Sequence, residues 1–160
     1  MAYLAYKYRV RGWWDETETL EVPVAYTRIK LLGPYHPDTL NSIASLGIVL
    51  RNQERWDQAA AWKEYEIDAR TSALGAEHSD TLNCKAELAW VYSNQGRWQE
   101  AEDLGQQVLD TRKRLLGSKH ADTVVSMQWL MAIYGQQGAG EKLRHLQLRV
   151  AEIERGLRKR

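Results

Sequence analysis

The sequence has only one cysteine, Cys84, in 160 residues. A single cysteine excludes an internal disulfide and favours a reducing compartment, so we expect a cytoplasmic protein. Only 3 prolines and 11 glycines occur, which argues against long disordered or collagen-like stretches. No apolar run approaches the ~18 residues that span a membrane, and the N-terminus lacks the order of a secretory signal. We therefore expect no membrane contact.

Net charge is also nearly absent. The formal net charge is +1, so no overall field attracts nucleic acid, and we regard nucleic acid as an unlikely partner. The charge is uneven, because the stretch from Glu141 to Arg160 holds seven Lys or Arg against three Glu. We interpret this basic end as a solvated helix terminus, whose cations suit the helix dipole, rather than as a docking site for an acidic partner.

What the sequence does contain is an internal repeat of 42 residues. The motif Leu-Gly-x-x-His-x-Asp-Thr begins at Leu32 and Leu74, and it returns from Leu116. A second motif, Asn-Gln-x-Arg-Trp, begins at Asn52 and Asn94 and follows the same period. Fixed periods of this length are typical of repeat proteins, in which each unit buries its apolar face against its neighbours. We expect a single array of about four repeats, with approximate bounds 1–33, 34–75, 76–117 and 118–160.

Each repeat is expected to contain two helices. Between the motifs, apolar residues recur at i, i+3, i+4 and i+7, which indicates one buried helix face, as at Ile43, Leu46, Gly47 and Leu50. We call this helix A. Helix B should run about 17 residues to the Leu-Gly pair, starting near Trp14, Trp56, Trp98 and Gly140. The predicted fold is all-α, a right-handed superhelix of antiparallel helix pairs with roughly eight helices.

The turns carry their own signals. Gly33, Gly75 and Gly117 suit the left-handed residue just past a helix end. Pro37 suits the first turn of the next helix. Pro23 falls inside the first B helix, where proline removes a hydrogen bond, so we expect a kink or a partly irregular first repeat.

At this point the residues resemble a known family, the tetratricopeptide repeat. The third repeat carries the family's order of apolar and small residues as Leu88, Ala89, Tyr92, Gly96 and Ala101. The period of 42 residues and the Leu-Gly-x-x-His-x-Asp-Thr motif resemble the kinesin-light-chain subtype. Similar arrays form the C-terminal sensing part of fungal STAND-type (NLR-like) signalling ATPases.

The resemblance implies a groove, lined by the A helices, that holds an extended peptide. It is expected to combine aromatic faces for apolar anchors, amides for a peptide backbone and arginines for an acidic group. The lining implied by the resemblance is Tyr3, Tyr6, Arg9, Asn41, Ala44, Ser45, Ile48, Arg51, Asn52, Asn83, Glu87, Trp90, Asn94, Gln128, Trp129 and Ala132.

The sequence departs from the family at several positions. Kinesin light chains tend to carry paired Asn midway along helix A, which this sequence lacks, and the Lys/Asn/Arg clamp of the chaperone-binding subtype cannot be assembled. Neither known ligand class therefore transfers. In the B helices, Lys63 and Gly105 stand where a large apolar residue is usual, and Glu66 stands where a small one is usual. We expect these copies to pack loosely or to be partly exposed.

Three features that resemble chemical sites have simpler interpretations. His36, His78 and His120 invite a metal, but repeats lie about 8–10 Å apart while ligands must lie near 2 Å from one ion, so packing or capping is favoured. The glycine-rich stretch 135–142 lacks the Ser or Thr and the preceding strand of a phosphate loop. Cys84 has no neighbouring base, which favours structural burial over nucleophilic catalysis. We expect no cofactor, no metal and no enzymatic activity.

Tryptophan is abundant, with seven residues. Trp14, Trp56 and Trp98 repeat at the start of helix B and are predicted to be core residues. Trp90 and Trp129 do not repeat and fall on the predicted groove, so each is either a ligand anchor or a packing residue.

Three functions remain open. The first is an interaction module that binds a peptide or protein segment in the groove, as the sensing or scaffolding part of a larger intracellular protein. The alternative is structural self-association without a peptide ligand. An enzyme with an unseen site between helices is the least favoured of the three.

Overall fold

The computed structural model describes the backbone of residues 2–158 and the side chains of Leu4 and of residues 7–156. Within that part the chain forms eight α-helices and no strand, which confirms the predicted all-α fold. The helices are α1 Ala2–Val10, α2 Trp14–Leu32, α3 Pro37–Asn52, α4 Trp56–Leu74, α5 Ser79–Asn94, α6 Trp98–Leu116, α7 Ala121–Gln137 and α8 Gly140–Arg158. Helices α1, α3, α5 and α7 are the A helices, and the others are the B helices.

The helices group into two compact units, residues 1–84 and residues 85–160. In the first unit α1 packs on α2, α2 on α3, and α3 on α4. In the second unit α6 packs on α7 and α7 on α8. These helices pack on their neighbours in the chain, as the repeat predicts. The organisation of the whole chain as a single array stays a prediction.

The apolar faces of the A helices form the cores. In α3, Ile43, Leu46 and Leu50 are at most 2% exposed, which confirms the face predicted from their spacing. The second unit has a corresponding cluster that joins α6, α7 and α8, formed by Leu109, Met127, Leu130, Tyr134, Leu146, Val150 and Ile153. Burial of these side chains supplies the main driving force for packing.

The turns from B helices into A helices need glycine for a more specific reason than predicted. Gly33, Gly75 and Gly117 have φ of 86°, 100° and 87°, so the positive φ is confirmed. Their ψ values of 166°, 156° and 161° lie far from the left-handed helical region. They occupy an extended mirror-image region that is essentially restricted to glycine.

The turns from A helices into B helices also repeat a positive φ. Gly12, Gly96 and Gly138 have φ of 71°, 75° and 75°. Glu54, at the same position of its repeat, has φ of 57°. A side chain with a Cβ is strained there, because Cβ approaches the carbonyl oxygen in left-handed conformations.

One expectation about the B helices needs correction. Trp14, Trp56 and Trp98 are half-buried rather than core residues. They begin their helices beside the turn, where Trp14 Nε1 lies 3.8 Å from the position that a Cβ on Gly12 would take. Helix α2 runs from Trp14 to Leu32 through Pro23 without a break, and the kink expected at Pro23 stays a prediction.

Among the described residues, no helix is long and apolar enough to cross a membrane.

Replacing Glu54 by glycine is expected to stabilise the protein. The substitution Glu54→Gly relieves the left-handed strain, partly offset by the flexibility of glycine in the unfolded chain, for a net gain of about 0.5–1 kcal/mol in the free energy of unfolding. Urea denaturation monitored by circular dichroism measures this change.

The matched control is the reverse change, Gly96→Glu. No atom lies within 4 Å of a Cβ added at Gly96, so its cost reports the backbone conformation alone. Equal stability of all three proteins would contradict the assignment of strain to Glu54.

Candidate functional site

In the first unit, the predicted groove residues lie on α1 and α3. Arg9 Nη1 donates a hydrogen bond to Ser45 Oγ at 3.5 Å, which joins the two A helices. Arg9 also lies near the Glu21 carboxyl group, whose pKa is raised by burial although Arg9 and Arg28 oppose this effect. Arg9 therefore already interacts with Ser45 and Glu21 inside the first unit. Its charge is correspondingly less available to an acidic ligand.

The remaining predicted residues of α3 differ in exposure. Asn41 and Asn52 are exposed, whereas Ile48 and Arg51 are half-buried. Asn52 Nδ2 donates a hydrogen bond to the carbonyl oxygen of Ile48 at 2.7 Å. An amide nitrogen carries two hydrogens, so Asn52 keeps capacity for a second hydrogen bond.

In the second unit, α5 and α7 bring two predicted anchors into contact. The ring centroids of Trp90 and Trp129 lie 5.9 Å apart with an interplanar angle of 63°, an edge-to-face arrangement. Both side chains are half-buried. One turn further along, Ser93 Oγ donates to Gln136 Oε1 at 2.9 Å. The structure thus brings α5 and α7 together into one mixed aromatic and polar surface.

The other predicted lining residues flank these contacts. On α5, Asn83 is exposed and Glu87 is half-buried, and Asn94 Nδ2 donates to the carbonyl oxygen of Trp90 at 2.8 Å. Gln128 of α7 is exposed. The side chains of Tyr3 and Tyr6 lie outside the described residues.

The inter-repeat histidines are helix caps, as the sequence predicted. Nδ1 of His36, His78 and His120 each accepts a hydrogen bond at 3.2 Å from the backbone N–H two residues later. In the same turns, Thr81 and Thr123 donate to the carbonyl oxygens of the preceding helix-ending glycines at 2.9 Å. Among the described residues, no three His, Cys, Asp or Glu come close enough to hold a metal ion.

A repeated arginine was missed by the sequence analysis. Arg28 Nη1 donates to the carbonyl oxygen of Asp38 at 3.1 Å and to Ser42 Oγ at 2.6 Å. Arg112 repeats the arrangement in the second unit, with distances of 3.2 and 2.7 Å to the equivalent atoms of Asp122 and Ser126. The signal was present in the 42-residue spacing of Arg28, Arg70 and Arg112.

The second repeat replaces this arrangement by a buried ion cluster, which we define as Lys63, Glu66, Arg70 and Cys84. Lys63 Nζ lies 2.7 Å from Glu66 Oε2, and Arg70 Nε lies 2.8 Å from Glu66 Oε1. Cys84, at the position equivalent to Ser42, donates its S–H to Glu66 Oε1 at 3.1 Å. One carboxylate thus accepts from three donors and compensates for its own burial.

The expectation of loose packing in the B helices was wrong. Lys63 is 5% exposed and Glu66 is 1% exposed, because each satisfies the other's charge and the lysine stem covers Gly47. Gly105 is also buried, since Leu130 occupies the space that its side chain would need, 2.8 Å from the position of a Cβ.

The cluster controls the protonation of its members. Burial raises the pKa of Glu66, but the charges and hydrogen bonds of Lys63, Cys84 and Arg70 outweigh it and hold the pKa below its usual value. Burial and the neighbouring Glu66 raise the pKa of Cys84 to about 12. The thiol is therefore protonated near neutral pH, which makes it a poor nucleophile.

Comparison with known proteins identifies the kind of repeat. Residues 81–122 match the family model described as tetratricopeptide repeat. The chain is also similar to a solved structure of a Podosopora anserina protein assigned as a kinesin light chain with nearly identical TPR-like repeats. The TM-score is 0.88 at 26% identity, and the alignment covers 98% of this chain and 74% of that one. A single-substitution variant of that protein gives a TM-score of 0.89 with the same identity and coverage.

A more distant likeness extends to BtubC (BKLC) from P. vanneervenii. The TM-score is 0.79 at 20% identity, over 96% of this chain and 60% of that one, which shows a shared fold alone. No curated protein matches the sequence.

The paired helices and their period define a helical repeat protein. Residues 81–122 resemble a tetratricopeptide repeat, and the fold of the chain is similar to that of kinesin-light-chain-like repeat structures. Tetratricopeptide repeats generally bind protein or peptide partners, so the fold supports a protein-interaction or scaffold module in general.

Removing the carboxylate of the buried ion cluster is expected to be costly. Glu66→Val removes the carboxylate that both Lys63 and Arg70 bind and should lower the free energy of unfolding by about 3–5 kcal/mol. Above the unfolded-state value near 4.5, the lowered pKa of Glu66 contributes stability, which is lost as pH falls through the folded-state pKa. Urea denaturation at several pH values measures both effects.

The other repeats provide the control for this prediction. Valine stands at the equivalent positions 24 and 108, and serine stands at the positions equivalent to Cys84. The triple variant Lys63→Met/Glu66→Val/Cys84→Ser should recover most of the lost stability, because Arg70 regains a hydroxyl partner. A triple variant as unstable as Glu66→Val would contradict this account of the cluster.

Cys84 is expected to resist alkylation in the folded protein. Because the thiol is buried and its pKa is about 12, iodoacetamide should react with it only through unfolding, and quickly in urea. Mass spectrometry follows the reaction. Native alkylation as fast as that of the unfolded chain would show that the thiol is accessible.

Proposed function

We propose that the chain binds a peptide segment of a partner protein on the exposed faces of two of its A helices, α5 and α7. The observation that carries the proposal is the Trp90–Trp129 pair on α5 and α7. In the other three A helices, the positions equivalent to Trp90 hold Tyr6, Ile48 and Ala132, and those equivalent to Trp129 hold Tyr3, Ser45 and Glu87. The repeat thus packs without tryptophan at either position, so packing alone does not account for the pair.

The neighbouring groups suit an extended peptide. An exposed amide such as Gln128 can donate to and accept from a peptide backbone, whose N–H and C=O groups need partners when buried. Half-buried indoles can take up apolar side chains of the ligand, and tryptophan dominates many interfaces in this way. In this proposal the module is the sensing or scaffolding part of a larger protein, in a reducing compartment such as the cytoplasm.

The test separates the A-helix surface from the rest of the molecule. Peptides selected from a display library on the wild-type chain are titrated, with fluorescence anisotropy, against the wild type and Trp90→Ala/Trp129→Ser. These substitutions introduce residues that the other repeats carry at the same positions. Affinity should fall about tenfold or more, as expected for loss of central aromatic anchors.

The matched control is Trp62→Leu on α4, which removes a tryptophan from a B helix and introduces the residue found at positions 20 and 104. The peptides that lose affinity in Trp90→Ala/Trp129→Ser should bind this variant as the wild type does. A folded Trp90→Ala/Trp129→Ser variant with unchanged affinity for every selected peptide would contradict the proposal.

Self-association, the alternative expected from the sequence, is tested on the same samples. Sedimentation velocity over a range of concentrations detects a dimer through its sedimentation coefficient. A dimer that dissociates in Trp90→Ala/Trp129→Ser would assign the surface to a second copy of the chain instead of a peptide.

A further inference from the structure

An aromatic pocket lies on the B helices of the first unit. Its volume is about 380 Å³, and its lining residues all belong to α2 and α4: Tyr26, Ile29, Ala61, Trp62 and Tyr65. No A-helix residue lines it, so it is distinct from the surface proposed above. Tyr26 is 59% exposed and Tyr65 is 38% exposed, so the aromatic walls face open space.

The three rings stand at steep angles to one another. The ring centroids of Trp62 and Tyr26 lie 6.0 Å apart at an interplanar angle of 78°, and those of Trp62 and Tyr65 lie 6.1 Å apart at 81°. Each tyrosine ring is thus nearly perpendicular to the indole. Rings that meet at such angles can offer several electron-rich faces to one compact or planar cation.

Packing of the repeat does not require these aromatics. The positions equivalent to Trp62 hold leucine at 20 and 104, and those equivalent to Tyr65 hold Pro23 and Gln107. The positions equivalent to Tyr26 hold aspartate at 68 and 110. All three aromatic residues therefore depart from the repeat in the same pocket, which points to a role other than stability.

The charges beside the pocket are mainly negative. Asp68 follows Tyr65 by one helical turn, and Asp57 precedes Ala61 by one turn, so both share the pocket's face of α4. Both are exposed. The two cations of α4, Lys63 and Arg70, bind Glu66 inside the buried ion cluster. Lys30 of α2, one turn after Tyr26, is a nearby exposed cation.

We propose that this pocket binds an arginine side chain of a partner protein. The guanidinium group is planar and weakly hydrated, stacks on aromatic faces, and can donate to a neighbouring carboxylate such as Asp68 at the same time. The protein already makes such contacts internally, since the Arg97 guanidinium carbon lies 3.9 Å from the centroid of the Tyr92 ring and that of Arg11 lies 5.2 Å from the Trp13 ring. An apolar side chain would fill the pocket without using the surrounding negative charge.

The test titrates the ¹⁵N-labelled full chain with a blocked pentapeptide, Gly-Ser-Arg-Ser-Gly. The Trp62 indole N–H signal is identified by its loss in Trp62→Leu. The arginine peptide should shift this signal saturably, and its affinity should fall about fivefold or more in Tyr65→Gln, which removes one aromatic wall and introduces the residue of position 107. Asp68→Asn should weaken binding about twofold to fivefold.

Two further peptides decide what the pocket recognises. The same peptide with norleucine in place of arginine should not shift the Trp62 signal, and one with lysine should bind more weakly. Equal binding of the norleucine peptide, or unchanged affinity in both Tyr65→Gln and Asp68→Asn, would overturn the proposal.

Thermal unfolding checks the fold of each variant, and Tyr26→Asn, which removes a ring without adding a charge, provides a second wall variant should Tyr65→Gln be unstable. The Trp90→Ala/Trp129→Ser variant should bind the arginine peptide normally. The two binding proposals can therefore fail independently.

Discussion

Each B helix is joined to the following A helix by a turn whose own side chains fix its geometry. A glycine in a glycine-only conformation ends the B helix, and a histidine Nδ1 caps the A helix, as at Gly75 and His78. In two of the repeats an arginine of the B helix reaches back to the first turn of the A helix. A helix pair cannot bury both apolar faces alone, so the repeat depends on such local contacts to present those faces in register.

Because the repeat determines the helices and their turns, a residue that differs from its equivalents in the other repeats indicates a local feature. The second repeat exchanges a serine for Cys84 and a valine for Glu66, and these two changes coincide in one buried ion cluster. The buried ion cluster and the contacts of Arg28 and Arg112 both supply hydrogen-bond acceptors to a guanidinium group that packing removes from solvent. In the cluster the acceptor is a charged carboxylate, and a lysine is added beside it. The stability of the cluster therefore depends on every member being present.

The sequence predicted the fold well and the chemistry of its interior poorly. The Leu-Gly and Asn-Gln-x-Arg-Trp motifs predicted where helices begin, because turn residues act locally. The burial of Lys63 and Glu66 was missed because hydropathy assigns single charged residues to the surface. Whether buried charges neutralise one another depends on which helix faces meet, which hydropathy does not give. Tyr26, Trp62 and Tyr65 were not grouped for the same reason: they come from α2 and α4, whose relative rotation no spacing along the chain determines. The residues of the A-helix surface could be named from the family resemblance, but their engagement with one another, such as that of Trp90 with Trp129, could not.

The contact between Trp90 and Trp129 limits the area that this surface can offer a ligand. Trp90 and Trp129 already cover part of each other, so a ligand gains only from the area that remains exposed. Arg9 similarly shares its charge with Ser45 and Glu21 before any acidic group arrives. The compensation is preorganisation, since side chains that already hold one another lose little rotational freedom on binding. A ligand that touches a single anchor therefore gains little, whereas a longer segment adds contributions from several prearranged positions. This is the behaviour expected of a repeat surface, in which affinity grows with the number of positions engaged rather than with the strength of one.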